Sequence, residues 1–297
     1  MIEGILNVDK PLELTSHDVV SCVRRLAQTR RVGHGGTLDP LATGVLVLAL
    51  GRATRLLEYV VGQPKVYRAK VRLGQTSNTY DAEGELADSG PVDVSANQVV
   101  AALGRFRGHI QQVPPMFSAI KRQGKPLYEL ARRGIEVQRE PRHVIIYELE
   151  LLQLDLPDLT LHIRCSSGTY IRSLAHDLGQ ELGSGAYLSG LQRTAVGRFT
   201  VGEAVSLETL ETDGLSHYVQ GMDRAVLHLP QLHLSQHAAA NLSHGQWVEW
   251  QKGDPENELA RAYDPRGVLV GIVSRRENNW LPQKILFDPP VAPDDQE

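Results

Sequence analysis

One carboxylate of this 297-residue chain stands where it could do chemistry. Asp39 lies within Gly33-His34-Gly35-Gly36-Thr37-Leu38-Asp39-Pro40-Leu41-Ala42-Thr43-Gly44. Four glycines free the backbone and admit a close neighbour, and Pro40 fixes the chain just after the acid. A carboxylate held still at the wall of a pocket can act as a nucleophile. The same residues also fit a tight connection with a capping Asp, and composition alone leaves both readings open. A phosphate cradle is disfavoured, because no Lys-Ser/Thr ending follows and Gly33-Gly35-Gly36 is not the dinucleotide fingerprint. A metal site on His34 and Asp39 lacks further ligands nearby.

The elements that must position Asp39 are legible around it. Val45-Leu46-Val47-Leu48-Ala49-Leu50 is an uninterrupted apolar run and reads as a buried strand. Ile2–Val8 reads as a strand, and Thr15 or Ser16 starts a helix to about Ala27 with Val19, Val20, Val23 and Leu26 on one face. Over 65–74, Tyr67, Ala69, Val71 and Leu73 form the apolar face of a half-buried strand. A helix follows Asp93–Ser95. Strands are expected at 144–154 and 159–165, a helix over 170–182, and one strand over 188–201. This mixture predicts an α+β fold with a mixed, mostly antiparallel sheet flanked by helices. Short β-like pieces at 246–250, 258–263, 269–273 and 284–287 predict a small β-rich unit over 226–288 after a larger unit over 1–225. Residues 289–297, rich in Pro and Asp, read as a disordered tail.

The formal net charge is −4, but it is unevenly spread. Residues 105–143 hold nine Lys/Arg against three Glu, so this stretch is +6 and the remainder −10. A local basic block on an acidic chain suggests a polyanion footprint. Met116, Phe117, Leu127 and Tyr128 interrupt it, which a purely solvated loop would not need. Cys22 and Cys165 read as buried thiols of a reducing compartment. No apolar run is long enough to cross a bilayer. With no secretory signal recognised after Met1, the expected address is the cytoplasm.

Five separated motifs then agree. They are Asn7-Val8-Asp9-Lys10-Pro11 with Thr15-Ser16; the Asp39 loop; Val66-Tyr67-Arg68; Ser167-Gly168-Thr169-Tyr170-Ile171-Arg172-Ser173-Leu174-Ala175; and Leu191-Gln192-Arg193-Thr194-Ala195-Val196-Gly197. In this order and spacing the chain resembles the TruB family of tRNA pseudouridine synthases, to about residue 210. Leu234-Ser235 and Leu242-Ser243-His244-Gly245-Gln246-Trp247-Val248 are similar to a PUA RNA-binding domain. The family often has Gly where this chain has Glu13.

The resemblance implies a pseudouridine-synthase fold and isomerisation of uridine 55 in the tRNA T-loop, with no cofactor or metal. Asp39 carries over as the essential nucleophile, with attack on ribose C1′, attack on the uracil ring and a glycal route all left open. Arg172 carries over as its charge partner, expected to keep it ionised and able to hold it bidentately. Tyr67 carries over as the ring beneath the flipped base, and Tyr170 as a second ring near the C5 proton. His34 carries over against the RNA, Leu191 as pocket wall, and Lys10 as a structural or phosphate-facing residue near the site. The stretch 105–143 takes the place of a thumb-like insertion, whose Lys121, Arg122, Lys125, Arg132, Arg133 and Arg142 would bind phosphates. The implied partner is tRNA, through its T-arm with the acceptor stem as a further contact. The implied state is a monomer that needs no membrane and no obligatory protein partner, with help in tRNA folding as a second activity. Residues 249–297 hold ten Asp/Glu against six Lys/Arg, which argues against strong electrostatic RNA binding there.

Overall fold

The computed structural model describes residues 2–118, 120–122, 124–131 and 133–286. The expected tail at 289–297 lies outside them. The chain opens with β1 (Gly4–Lys10), α1 (Ser16–Leu26), β2 (Val32–His34) and β3 (Ala42–Leu50). After a 3-10 turn at 51–56 come α2 (Leu57–Val61), β4 (Lys65–Leu73), a small hairpin β5 (Gln75–Ser77) and β6 (Leu86–Asp88), and α3 (Ala96–Gly104). Next are β7 (Gly108–Gln112), a hairpin β8 (Lys121–Arg122) and β9 (Lys125–Pro126), and α4 (Leu127–Ala131). Then follow β10 (Arg142–Asp155), β11 (Asp158–Cys165), α5 (Ile171–Glu181), β12 (Ala186–Val196), β13 (Phe199–Thr200) and α6 (Leu207–Asp213). The last part holds β14 (Gln231–His233), α7 (Gln236–Ser243), β15 (Val248–Glu249), β16 (Leu259–Tyr263), β17 (Leu269–Arg276) and β18 (Asn279–Ile285).

The main sheet runs β1-β3-β12-β4-β11-β10-β7, with β2 added on β3 and β13 on β12. Only β3 and β12 pair in parallel, so the sheet is mixed and mostly antiparallel, as expected. Strand alternation explains the middle of it. Lys65, Tyr67, Ala69, Val71 and Leu73 of β4 all turn to the buried face. There they meet Leu159, Leu161 and Ile163 of β11 and Ile171, Leu174, Ala175 and Leu178 of α5. Each fully buried aliphatic side chain contributes about 1.5–3 kcal/mol relative to exposure. At the N-terminal end, a capping box between Thr15 and Asp18 fixes the start of α1, whose Val19, Val20 and Val23 cover β1 and β3.

Two elements differ from expectation. The strand expected over 188–201 turns back at Gly197 (φ +54°), so Phe199–Thr200 pairs with Ala195–Val196 rather than extending β12. The last strand begins earlier than expected, and its Pro282 sits beside Val273 at a register shift, where a missing N–H is tolerated. Cys165 is buried as expected, but Cys22 is half-buried beside Glu211 and Arg25.

The second sheet runs β14-β16-β17-β18-β15, with α7 and the fully buried Trp280 in its core. Its other side joins the main sheet: Tyr263, Leu269, Ile272 and Leu286 share one apolar cluster with Ile5, Val45, Val47 and Val60. Arg52 adds a hydrogen bond to the Leu286 carbonyl (2.9 Å), and Lys284 an ion pair to Glu58 (2.8 Å). No helix among the described residues is long and apolar enough to cross a membrane.

Candidate active site

The parallel pairing of β12 with β3 sets Leu191 opposite Ala42 and Arg193 opposite Gly44. On its other edge β12 sets Arg193 opposite Tyr67 of β4. The Asp39 loop therefore ends beside β12 and β4, and the first turn of α5 closes the same space. A cleft of about 990 Å³ results, lined by His34, Asp39, Tyr67, Tyr170, Arg172 and Leu191 together with Lys65, Asp81, Glu83 and Arg193.

The loop is clamped from three sides. Ser16 Oγ accepts the Leu38 N–H (2.8 Å) and donates to the Leu38 carbonyl (3.0 Å). Lys10 Nζ donates to the carbonyls of Pro11 (2.8 Å), Leu14 (2.5 Å) and Pro40 (3.4 Å). Arg193 donates through Nε to Val45 O (2.7 Å), through Nη2 to Gly36 O (3.0 Å) and through Nη1 to Thr37 O (3.3 Å). Gly44 makes the close approach of β12 feasible. A Cβ there would lie 2.3 Å from the Arg193 carbonyl, and its φ of +98° is one that side chains avoid.

Asp39 faces Arg172 across this loop. Arg172 Nε meets Asp39 Oδ2 at 3.1 Å, while its Nη1 meets Asp81 Oδ2 at 3.1 Å and its Nη2 donates to the Phe117 carbonyl at 2.8 Å. The expected bidentate grip on Asp39 is thus replaced by a guanidinium divided between two carboxylates and a backbone oxygen. Asp81 is held in turn by Thr79 Oγ1 (2.6 Å) and the Glu83 N–H (3.1 Å). Arg172 pulls the Asp39 carboxyl down, as expected of its charge partner, but other influences oppose it. Burial, with the nearby Asp81 carboxylate adding to it, pushes its carboxyl above the ordinary range, against the pull of Arg172, Lys10 and Arg193.

The rings flank this pair. Tyr67 is 8 % exposed, and burial pushes its phenol up to about 12, so the hydroxyl keeps its proton at neutral pH. Tyr170 is the residue just before α5, in extended conformation (φ −97°, ψ 107°), not the first helical residue as expected. Burial raises its phenol as well. His34 sits half-buried with Nδ1 accepting the Gly36 N–H (3.4 Å), and burial lowers its imidazole below the usual value.

Of the two roles expected for it, structural or phosphate-facing, Lys10 has the geometry of the structural one. It is 0 % exposed and its ammonium is committed to backbone carbonyls, so it cannot face a phosphate or any other substrate group from there. It shapes the turn that carries Asp39. Burial also lowers it to about 8. Three cations of the basic stretch that lie outside the expected phosphate-binding set have partners within the fold. Arg105 pairs with Glu181, Arg107 donates to Leu149 O and Arg139 to Pro114 O, so these cations serve the fold. Arg133 and Arg142 are exposed. Arg132 and the side chains of Lys121, Arg122 and Lys125 lie outside the described residues.

Asp81 and Arg193 were not foreseen as site residues. A signal existed for Arg193: by strand alternation it shares one face with Leu191 and Ala195, and a cation on an apolar face requires buried partners. Asp81 sits in a polar stretch, Asn78-Thr79-Tyr80-Asp81-Ala82-Glu83-Gly84, that reads as an ordinary turn.

The chain is similar to known proteins. The profile described as "TruB family pseudouridylate synthase (N terminal domain)" matches residues 24–171. "tRNA pseudouridylate synthase B C-terminal domain" matches 172–227, and "Pseudouridine synthase II TruB, C-terminal" matches 230–286. The chain is 45 % identical to tRNA pseudouridine synthase B of Stutzerimonas stutzeri, with 96 % of each chain covered. It is 42 % identical to the protein of the same name from Dehalococcoides mccartyi, with 99 % of each covered. Among solved structures it is similar to one titled a Cbf5-Nop10-Gar1 complex, at 28 % identity and a TM-score of 0.73 over 96 % of this chain and 85 % of that one. From the cleft geometry and these matches together, the chain belongs to the TruB family of pseudouridine synthases.

Proposed function

We propose that the cleft isomerises a uridine of tRNA to pseudouridine, at position 55 of the T-loop, with Asp39 as nucleophile. The observation that carries this reading is the Asp39–Arg172 pair at 3.1 Å in a cleft walled by Tyr67, Tyr170 and Leu191. The relatives' names supply the substrate, tRNA. The conversion breaks the C1′–N1 bond and forms C1′–C5. N1 gains a proton and C5 loses one, so atoms and electrons balance without a redox partner. The target base must leave its stack to reach a carboxylate in such a cleft. Tyr67 supports its face, Leu191 its edge, Tyr170 lies toward the C5 proton, and His34 meets the RNA where the base left. Lys10, Ser16 and Arg193 hold the loop on which Asp39 acts.

The exposed Arg133 of the insertion between β7 and β10, and the exposed Arg142 at the start of β10, would meet the phosphates, and Lys121, Arg122, Lys125 and Arg132 belong to the same proposed set. RNA affinity then falls with salt. Residues 1–225 form the catalytic unit and 226–288 a PUA-like unit. The protein works as a monomer in the cytoplasm.

The test incubates purified protein with an unmodified tRNA transcript and maps pseudouridine by carbodiimide labelling and primer extension, with Asp39→Asn alongside. A single stop at the T-loop uridine, absent with the variant, supports the reading. tRNA bound but unmodified by both proteins would shift the assignment to guide-dependent modification or to RNA folding without chemistry.

A further inference from the structure

The start of α5 carries Tyr170 and Arg172, yet its backbone is tied to a distant part of the chain. Gln112, the last residue of β7, is 2 % exposed. Its Oε1 accepts the Tyr170 N–H at 2.7 Å, and its Nε2 donates to the Tyr170 carbonyl at 3.0 Å. One carboxamide thus holds both polar backbone groups of one residue, 58 positions away. The ties continue along the chain: Ser173 Oγ donates to Val113 O (2.8 Å), and Arg172 Nη2 to Phe117 O (2.8 Å). Ser118 Oγ is buried beside the Tyr170 hydroxyl without a well-formed hydrogen bond. Gln112 is also the cross-strand partner of Arg142. The insertion leaves the sheet at the first of these residues and returns at the second.

We infer that Gln112 is a positioning residue for the isomerisation: its carboxamide fixes the Tyr170 ring and joins the root of the RNA-capturing insertion to the Arg172–Asp39 pair. Tyr170 precedes the helix and has no side-chain cap; its carbonyl accepts the Leu174 N–H (3.1 Å), and Gln112 adds the partner of its N–H and a second donor to that carbonyl. No other residue type offers a donor and an acceptor at this reach, apart from a protonated Glu. The inference rests on the reading of Tyr170 as a ring against the substrate base.

The experiment compares wild type, Gln112→Met and Gln112→Glu on a tRNA transcript. It measures single-turnover rate, RNA dissociation constant and melting temperature, with rates taken from pH 5.5 to 8. Gln112→Met is expected to lower the single-turnover rate about 30-fold, the factor of two ordinary hydrogen bonds, and to change RNA affinity less than about threefold. Gln112→Glu places a second anionic oxygen against the Tyr170 carbonyl. Its rate relative to wild type is expected to rise as pH falls, because a protonated Glu restores the donor. That recovery does not follow from a role in stability alone, and it carries the test if Met disturbs the fold. A folded Gln112→Met at wild-type rate, a loss confined to RNA affinity, or a pH-independent Gln112→Glu defect would each overturn the assignment. No pseudouridine from wild type would overturn the site reading and this inference with it.

Discussion

Replacing Arg193 by Met removes a buried guanidinium and keeps most of its bulk. Arg193 is 1 % exposed and serves three carbonyls. Val45 is fully buried, so its carbonyl loses its partner with no water to replace it, at a cost of about 1–3 kcal/mol. Gly36 is half-buried and Thr37 exposed, so water recovers most of what their carbonyls lose. Relief of the desolvated cation works the other way, since a buried charge is itself costly. The buried Val45 carbonyl dominates, and the balance is a loss of about 2 kcal/mol, within the range for one unsatisfied buried acceptor. At about 2–4 °C per kcal/mol for a chain of this size, the melting temperature drops by about 4–8 °C. Urea unfolding at 25 °C measures the free energy and a thermal melt the temperature. A second readout separates clamp from catalyst. Arg193 is one of the cations that pull the Asp39 carboxyl down, so its loss moves the acid limb of the isomerisation rate to higher pH. A folded Arg193→Met protein within 1 kcal/mol of wild type, or an acid limb that stays in place, would refute the assignment of this guanidinium as the loop's buried anchor.

Asp39→Asn abolishes pseudouridine formation but stabilises the protein at neutral pH. The folded carboxyl titrates above its ordinary 3.8, so the fold binds the proton more tightly than the unfolded chain does. Below the ordinary value both states are protonated and the variants match. As pH rises through the folded value wild type loses stability, and Asn does not; equal or lower stability of Asn at pH 7.5 in urea unfolding sinks the argument. Asp81→Asn has opposite consequences for its two neighbours. Asp39 loses a repelling charge, so the acid limb of the rate moves to lower pH, while Arg172 loses one of two carboxylates and the fold loses about 2–3 kcal/mol. A pH–rate profile and a melt on one preparation check both signs, and an acid limb moving upward would contradict the charge assignment.

What could be read in advance followed local rules. The alternation of Tyr67, Ala69, Val71 and Leu73, the apolar run after Gly44 and the helical spacing after Tyr170 each announce an element and its buried face. The motifs then selected Asp39, Tyr67, Tyr170, Arg172, His34 and Leu191, which do line one cleft. Residues that act by distant hydrogen bonds stayed hidden. Gln112 and Asp81 sit in polar surroundings, and only the tertiary fold reveals that both are buried against α5. For Lys10 the sequence leaves a structural and a phosphate-facing role both open. The pairing of Lys10 with Gly44 across β1 and β3 drives it beneath the loop. The division of Arg172 between two carboxylates was equally out of reach, since it depends on a segment more than 90 residues away.

The apolar cluster shared by the two sheets sets a boundary on how the chain can be cut. Val45 and Val47, on the strand that leaves the Asp39 loop, bury against the same cluster as Tyr263, Leu269, Ile272 and Leu286. A shortened protein ending near residue 229 would bare that cluster to water directly behind the strand that follows the Asp39 loop, and would tend to self-associate. The β-rich end is therefore a wall of the enzyme's own interior and not an appendage on a tether. The two sheets should melt in one transition, and an RNA that grips either one would stabilise the other.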